Sequence, residues 1–238
     1  MEWTRPEQPV IPQTWYTFKA KDVDSDRLIT YRVEDLTEDR FDDVIQHYME
    51  NFLDDEPLCQ SKKVSEDELS LAEIRGFWRW CLNKRMTIAC YKKGSREIVG
   101  AYLLHVKGSK KLLDAKIRGE KLKDIVATNE YMTDQYDVQK QYDVEYYLTA
   151  YGLAINQRYR GREIATEMLK VRVPLCRAFG IKVTATNFTA LASQLAAAKV
   201  GFRTDLEVTY DDFAKMGPHY FYPGIKSKSL KLMSLKIE

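Results

Sequence analysis

A chain of 238 residues with 45% apolar and 30% charged side chains has enough hydrophobic material for a core and lacks the composition of a disordered or collagen-like protein. Lys and Arg total 37 against 35 Asp and Glu, a net charge of +2, so there is no broad basic field and nucleic acid is not an expected partner. The four cysteines, Cys59, Cys81, Cys90 and Cys176, are widely spaced within apolar patterns and read as free thiols. With no leader pattern and no apolar run of membrane-spanning length, the expectation is a soluble, cytoplasmic protein with no membrane partner.

Residues 1–26 carry Pro6, Pro9 and Pro12 and little periodicity, which predicts an extended arm ahead of one domain over residues 27–238. Leu28 to Leu36 alternates as a strand, and Thr37 is placed to cap the next helix. In that helix Phe41, Val44, Ile45, Tyr48, Met49 and Phe52 share one face, and Pro57 ends the register. Ser65 and Glu68 have capping-box spacing before a second helix, whose stripe of Leu71, Ile74, Trp78, Cys81 and Leu82 reads as core rather than ligand cage. MTIACY and EIVGAYLLHV form a hairpin across KKGSR. The basic stretch from Lys107 to Asp124 and the acidic, Tyr-rich stretch from Glu130 to Glu145 read as loops with one or two short helices. The basic run is expected to be a solvated face.

From Tyr146 the pattern is strand, turn, helix, a stop at Gly180, strand, and an Ala-rich helix ending at Gly201, a β-α-β-α unit within an α/β fold. FRTDLEVTY and KSLKLMSLKI add two closing strands, and Pro174 should kink the main helix after Val173. In GLAINQRYRGREIATEMLK an apolar strand enters a turn carrying Arg158, Arg160 and Arg162 and then a helix. The unbonded N–H groups and the dipole of such a helix start favour an anion. An ordinary strand-to-helix turn with a solvated arginine cluster would share the pattern.

This segment resembles the acetyl-CoA signature of the GNAT acyltransferases. Arg160, Gly161 and Ala165 match it, whereas Glu163 stands where the middle glycine is usual. The second strand, the helix ALASQLAAAK and Gly201-Phe202 resemble the closing part of the same fold. The resemblance implies a mostly antiparallel twisted sheet with one splayed parallel pair and helices on both faces. It also implies acetyl-CoA as co-substrate, with pantetheine on the backbone of Leu153, Ala154 and Ile155 and pyrophosphate on the loop from Arg160 through Gly161, Arg162, Glu163 and Ile164 to Ala165. A tyrosine that serves many members as general acid is matched here by Ala197.

FLDDEPLC is similar to the D-E-P-L motif of the insect arylalkylamine N-acetyltransferases, dopamine N-acetyltransferase among them. That likeness implies Glu56 as general base, with Ser193 and Thr189 as hydroxyl residues near the acetyl group. Ala190 marks another register for that contact. The residues agree: an alkylamine with a pKa of ~10 arrives protonated, and a carboxylate can take its proton. Asp54 and Asp55 stand beside Glu56, a crowding expected to raise at least one pKa, and Pro57 biases Glu56 towards extended backbone. An acidic helix end before a proline is the plain alternative.

His47, His105 and His219 lack metal-ligand spacing, so no metal is expected, although His219 is placed where a loop could bring it to the site. The leading expectation is acetyl transfer to a small arylalkylamine or related biogenic amine by direct attack. The alternatives are a protein lysine or N-terminal acetyltransferase and a non-catalytic CoA-binding module. Nothing in the sequence bears on oligomeric state.

Overall fold

Alternating apolar residues make the first two strands, continuous apolar runs the central ones and 3.6-residue stripes the helices, and among the described residues the strands assemble one eight-stranded sheet. The computed structural model describes residues 3–108 and 117–238. Strands β1 (Thr14–Lys21), β2 (Leu28–Asp35), β3 (Ile88–Lys92), β4 (Ile98–Lys107) and β5 (Tyr147–Ile155) pair antiparallel in succession. The next strand, β6 (Val183–Phe188), is parallel to β5. The last strand in sequence, β8 (Ser229–Lys236), lies between β6 and β7 (Arg203–Thr209), giving the order β1-β2-β3-β4-β5-β6-β8-β7.

The junction between β5 and β6 positions the site. Leu148↔Thr184 is the sole ladder pair joining them, and beyond it the strands part. In the neighbouring β4–β5 ladder, Tyr102 faces Leu153 but Leu104 faces Ala150, so β5 carries an extra residue and bulges there. Gly152 at the bulge has φ +145°, and a Cβ added to it would lie 2.8 Å from Phe52 and 3.1 Å from Tyr48. Only glycine lets the strand approach these rings. The Tyr48 hydroxyl fastens the bulge by accepting from Leu103 N (3.1 Å) and donating to the Gly152 carbonyl (2.8 Å).

Each face of the sheet carries a core. One packs α1 (Phe41–Asn51), α2 (Pro57–Lys62), α3 (Glu68–Asn83) and α4 (Glu120–Gln135) through Tyr48, Leu58, Trp78 and Met132. After α5 (Val138–Tyr142), the other face receives α6 (Ile164–Lys170) and α7 (Arg172–Ala178) through Met168, Leu169 and Leu175, with Ala197 of α8 (Leu191–Lys199). A short α9 (Tyr210–Met216) completes the set. The α6–α7 break falls at Val171, because Pro174 lacks an N–H for the carbonyl four residues back and its ring crowds it.

Several expectations are corrected. The arm over residues 1–26 contains the edge strand β1, and Arg5 anchors it through the buried carboxylate of Asp35 at 2.7 and 2.8 Å. Helix α3 is capped by Asp67, which accepts from Ser70 N at 2.7 Å, while Ser65 lies in a preceding 3-10 turn. Pro57 does not close a helix but opens α2, as its fixed φ suits the first helical position. The stretches read as loops hold the 16-residue α4, whose buried apolar residues are Leu122, Ile125 and Met132, too sparse for a clear stripe. Residues 109–116 of the basic run lie outside the described residues.

Candidate active site

A cavity of about 1130 Å³ opens between the parted ends of β5 and β6 and extends under α3 and α4. On the side of the β5–α6 turn its wall includes Leu153, Ile155, Ala165, Ser193 and Ala196. On the opposite side stand Phe52, Phe77, Trp80 and Tyr151, with Glu130 and Asp134 among the polar groups. Phe77 meets Tyr151 edge-on at 4.9 Å and stacks with Trp80 at 5.9 Å. The α3 aromatics are therefore divided: Trp78 is 2% exposed within the core, whereas Phe77 and Trp80 are half-buried at the cavity.

Glu56 lines the cavity with extended backbone (φ −70°, ψ 124°), as expected before proline, and its Oε2 accepts from Cys59 N at 2.8 Å. The side chain is thus the N-cap of α2, held by one oxygen. Its neighbours are not the three mutually repelling carboxylates expected from the sequence, because Asp55 is paired with Arg160 Nη1 at 2.8 Å. Burial, and next the Glu56 carboxylate, push the Cys59 thiol well above its usual pKa. That thiol stays protonated and is a poor nucleophile. Burial likewise raises Tyr210 and Tyr222, with Glu56 contributing to both.

The residues expected to form a cofactor loop divide by what their side chains do. Arg160 donates from Nε to the Ile155 carbonyl (3.1 Å) and from Nη2 to the Asn51 carbonyl (2.8 Å). Its guanidinium therefore ties the loop to the end of α1, rather than standing free for a pyrophosphate. Arg162 turns back onto the Arg158 and Arg160 carbonyls at 3.0 and 2.9 Å and does not line the cavity. Glu163 has φ +60°, which explains a preference for glycine there, and its exposed carboxylate pairs with Lys199 at 3.1 Å. Within the described residues, the backbone N–H groups of Gly161, Arg162, Glu163, Ile164, Ala165 and Thr166 donate no hydrogen bond. With Gly161 also at positive φ (+73°), these groups form a concave run of donors.

Of the remaining expected residues, Leu153 and Ile155 face the cavity, whereas the Ala154 carbonyl is taken by His47 Nε2 at 3.1 Å. Ser193 lines the cavity with its hydroxyl on the Ala190 carbonyl at 2.8 Å, and Thr189 also lines it. Ala197 is buried in the core beneath α8. His219 does not reach the cavity: its Nδ1 meets Asp124 at 2.8 Å on the surface. Sequence reading passed over Gly152, Tyr102 and Arg172. Their signals were a glycine inside a strand pattern and a charge at a core position of the Met168, Leu169, Leu175, Cys176 stripe.

No protein-family model and no curated protein matches the chain. Among solved structures it superposes on the insect putative arylalkylamine N-acetyltransferase 7 of the yellow fever mosquito Aedes aegypti with a TM-score of 0.96 and 40% identity, over 100% of both chains. The chain belongs to the insect arylalkylamine N-acetyltransferases, within the GNAT superfamily. It is therefore an acyltransferase. Arylalkylamine N-acetyltransferase 2 of Aedes aegypti shares its fold at 23% identity (TM-score 0.77, 87% of this chain and 99% of the other). So does a Drosophila melanogaster polyamine N-acetyltransferase at 15% identity (TM-score 0.71, 87% and 100%). Among the described residues of this family member, no helix is long and apolar enough to cross a membrane. Nor do three or more His, Cys, Asp or Glu side chains gather as a metal site.

Proposed function

We propose that this enzyme transfers the acetyl group of acetyl-CoA to the primary amine of a small arylalkylamine, with Glu56 as general base. The observation that carries this reading is a tethered carboxylate at a cavity with two unlike walls: aromatic rings on one side and unbonded backbone donors on the other. The donors from Gly161 to Thr166 suit a pyrophosphate, and the parted strands offer backbone to an amide-bearing arm. These features fit CoA. The Phe77, Trp80 and Tyr151 rings suit an aryl group, and Glu130 and Asp134 favour a cation nearby. A compact aromatic amine therefore fits better than a lysine side chain presented by a protein.

Glu56 Oε2 is fixed by Cys59 N, leaving Oε1 to take the ammonium proton directly or through a water. The neutral amine then attacks the thioester carbonyl. Direct attack also fits the raised pKa of Cys59, the cysteine beside the base, which disfavours an acyl-enzyme. Glu56→Gln keeps the shape and loses the base, so turnover at neutral pH should fall by roughly 10² or more with CoA affinity little changed. The ascending limb of the pH profile should vanish, with activity returning only as free amine becomes abundant. A variant that keeps both rate and limb would overturn the assignment of Glu56.

A further inference from the structure

Arg172 is fully buried, and none of its partners is a carboxylate. Its Nε donates to Thr184 Oγ1 at 2.6 Å and its Nη2 to the Leu148 carbonyl at 2.8 Å, across the single pair joining β5 and β6. Its Nη1 donates to the hydroxyls of two residues that line the cavity, Thr186 at 2.8 Å and Tyr102 at 2.9 Å. The guanidinium thus sits at the apex of the splay, with its charge uncompensated by any of these partners.

The two hydroxyls differ in what remains available. The Thr186 hydroxyl donates its hydrogen bond to the Ala185 carbonyl at 2.7 Å. Tyr102 accepts from Arg172 and, among the described residues, donates to nothing. Its ring is 2% exposed, yet it lines the cavity beside Leu153, its partner across the β4–β5 ladder. A phenol that accepts from a guanidinium is a strengthened donor, since the cation draws electron density from the oxygen. Burial, the largest influence on Tyr102, raises its pKa, so it keeps its proton in the working range.

We propose that Tyr102 donates a hydrogen bond to the sulfur of the CoA thioester as it leaves, and that Arg172 is the residue that positions and polarises it. This rests on the acetyl-CoA reading above. In the step, the amine nitrogen forms a bond to the carbonyl carbon and the carbon–sulfur bond breaks. Sulfur leaves with the electron pair as thiolate, and the proton shed by the attacking nitrogen goes to Glu56, which has by then passed the earlier ammonium proton to solvent. Tyr102 stabilises the thiolate without losing its own proton, and the thiolate is protonated from solvent after release. A donor from β4 thereby fills the role left open by Ala197 on α8.

The test compares CoA with desulfo-CoA by calorimetry at pH 7 and pH 9.5, on either side of an ordinary thiol pKa of ~8.5. At the higher pH the wild type should prefer CoA by roughly tenfold, the worth of a hydrogen bond to a charged group. Tyr102→Phe should erase that preference while leaving desulfo-CoA affinity intact, and should lower kcat by roughly 10² with KM for acetyl-CoA nearly unchanged. Arg172→Lys, which keeps the charge, should retain part of both effects. A Tyr102→Phe protein with wild-type kcat and an intact preference for CoA at pH 9.5 overturns the proposal. A wild type that binds neither ligand overturns the acetyl-CoA reading and this assignment with it.

Discussion

Two arginines are buried on the same face of the sheet in opposite company. Arg5 reaches from the N-terminal arm into a bidentate pair with Asp35, whose carboxylate also accepts from Trp15 Nε1 at 2.8 Å and Gln13 N at 3.0 Å. That cluster is locally neutral and lies between rings, with the guanidinium 5.1 Å from the Phe179 centroid. Among the described residues, the Arg172 guanidinium donates hydrogen bonds only to hydroxyls and carbonyls, so its positive charge stands uncancelled beside the cavity. The charge that is cancelled serves the fold, and the one left open is available to chemistry.

The largest expected effect comes from unbalancing the neutral cluster. Asp35→Ala strands the Arg5 charge in the core and should cost about 3–5 kcal/mol of stability, with turnover per folded molecule unchanged, as a melting curve beside an active-site titration would read. Arg172→Met leaves no stranded charge, so its stability loss should be smaller and its kcat loss larger. If Arg172→Met melts as low as Asp35→Ala and keeps its kcat, the distinction between the two arginines is lost.

His47 is a third case, a buried base that avoids charge. Burial holds its pKa below the usual value, only partly offset by its bond to the Ala154 carbonyl. A depressed pKa means that the neutral form stabilises the fold above the unfolded value of ~6.5 and that this contribution is lost as pH falls below it. Stability measured between pH 7.5 and 5 should therefore decline, and His47→Gln, which can still donate to Ala154, should flatten that decline. The smallest effect belongs to the exposed pair of Glu163 and Lys199. Glu163→Gly should leave CoA affinity by calorimetry within tenfold of wild type, since an exposed ion pair contributes little and glycine favours the φ +60° found there.

The parts decided by local pattern were legible: the β5–α6 turn, β6, α8 and the extended backbone of Glu56 all fall where periodicity and proline put them. Strand β1 was hidden because three prolines precede it and its pairing with β2 is a tertiary fact. The orientations of Arg160 and Glu163 were illegible for a related reason. Their partners Asp55 and Lys199 are 105 and 36 residues away, and no short motif encodes such distances. Tyr102 and Arg172 were missed because their meaning lies in contacts across the sheet rather than along the chain.

The single ladder pair between β5 and β6 has a further consequence. A sheet divided in this way lacks main-chain partners along the gap, and a ligand seated there would supply some of them. Binding to the folded state alone adds RT ln(1 + [L]/Kd) to stability, about 2.7 kcal/mol at a hundredfold excess over Kd. An enzyme built this way would couple its resistance to unfolding, and so its turnover by cellular proteases, to the supply of its own co-substrate.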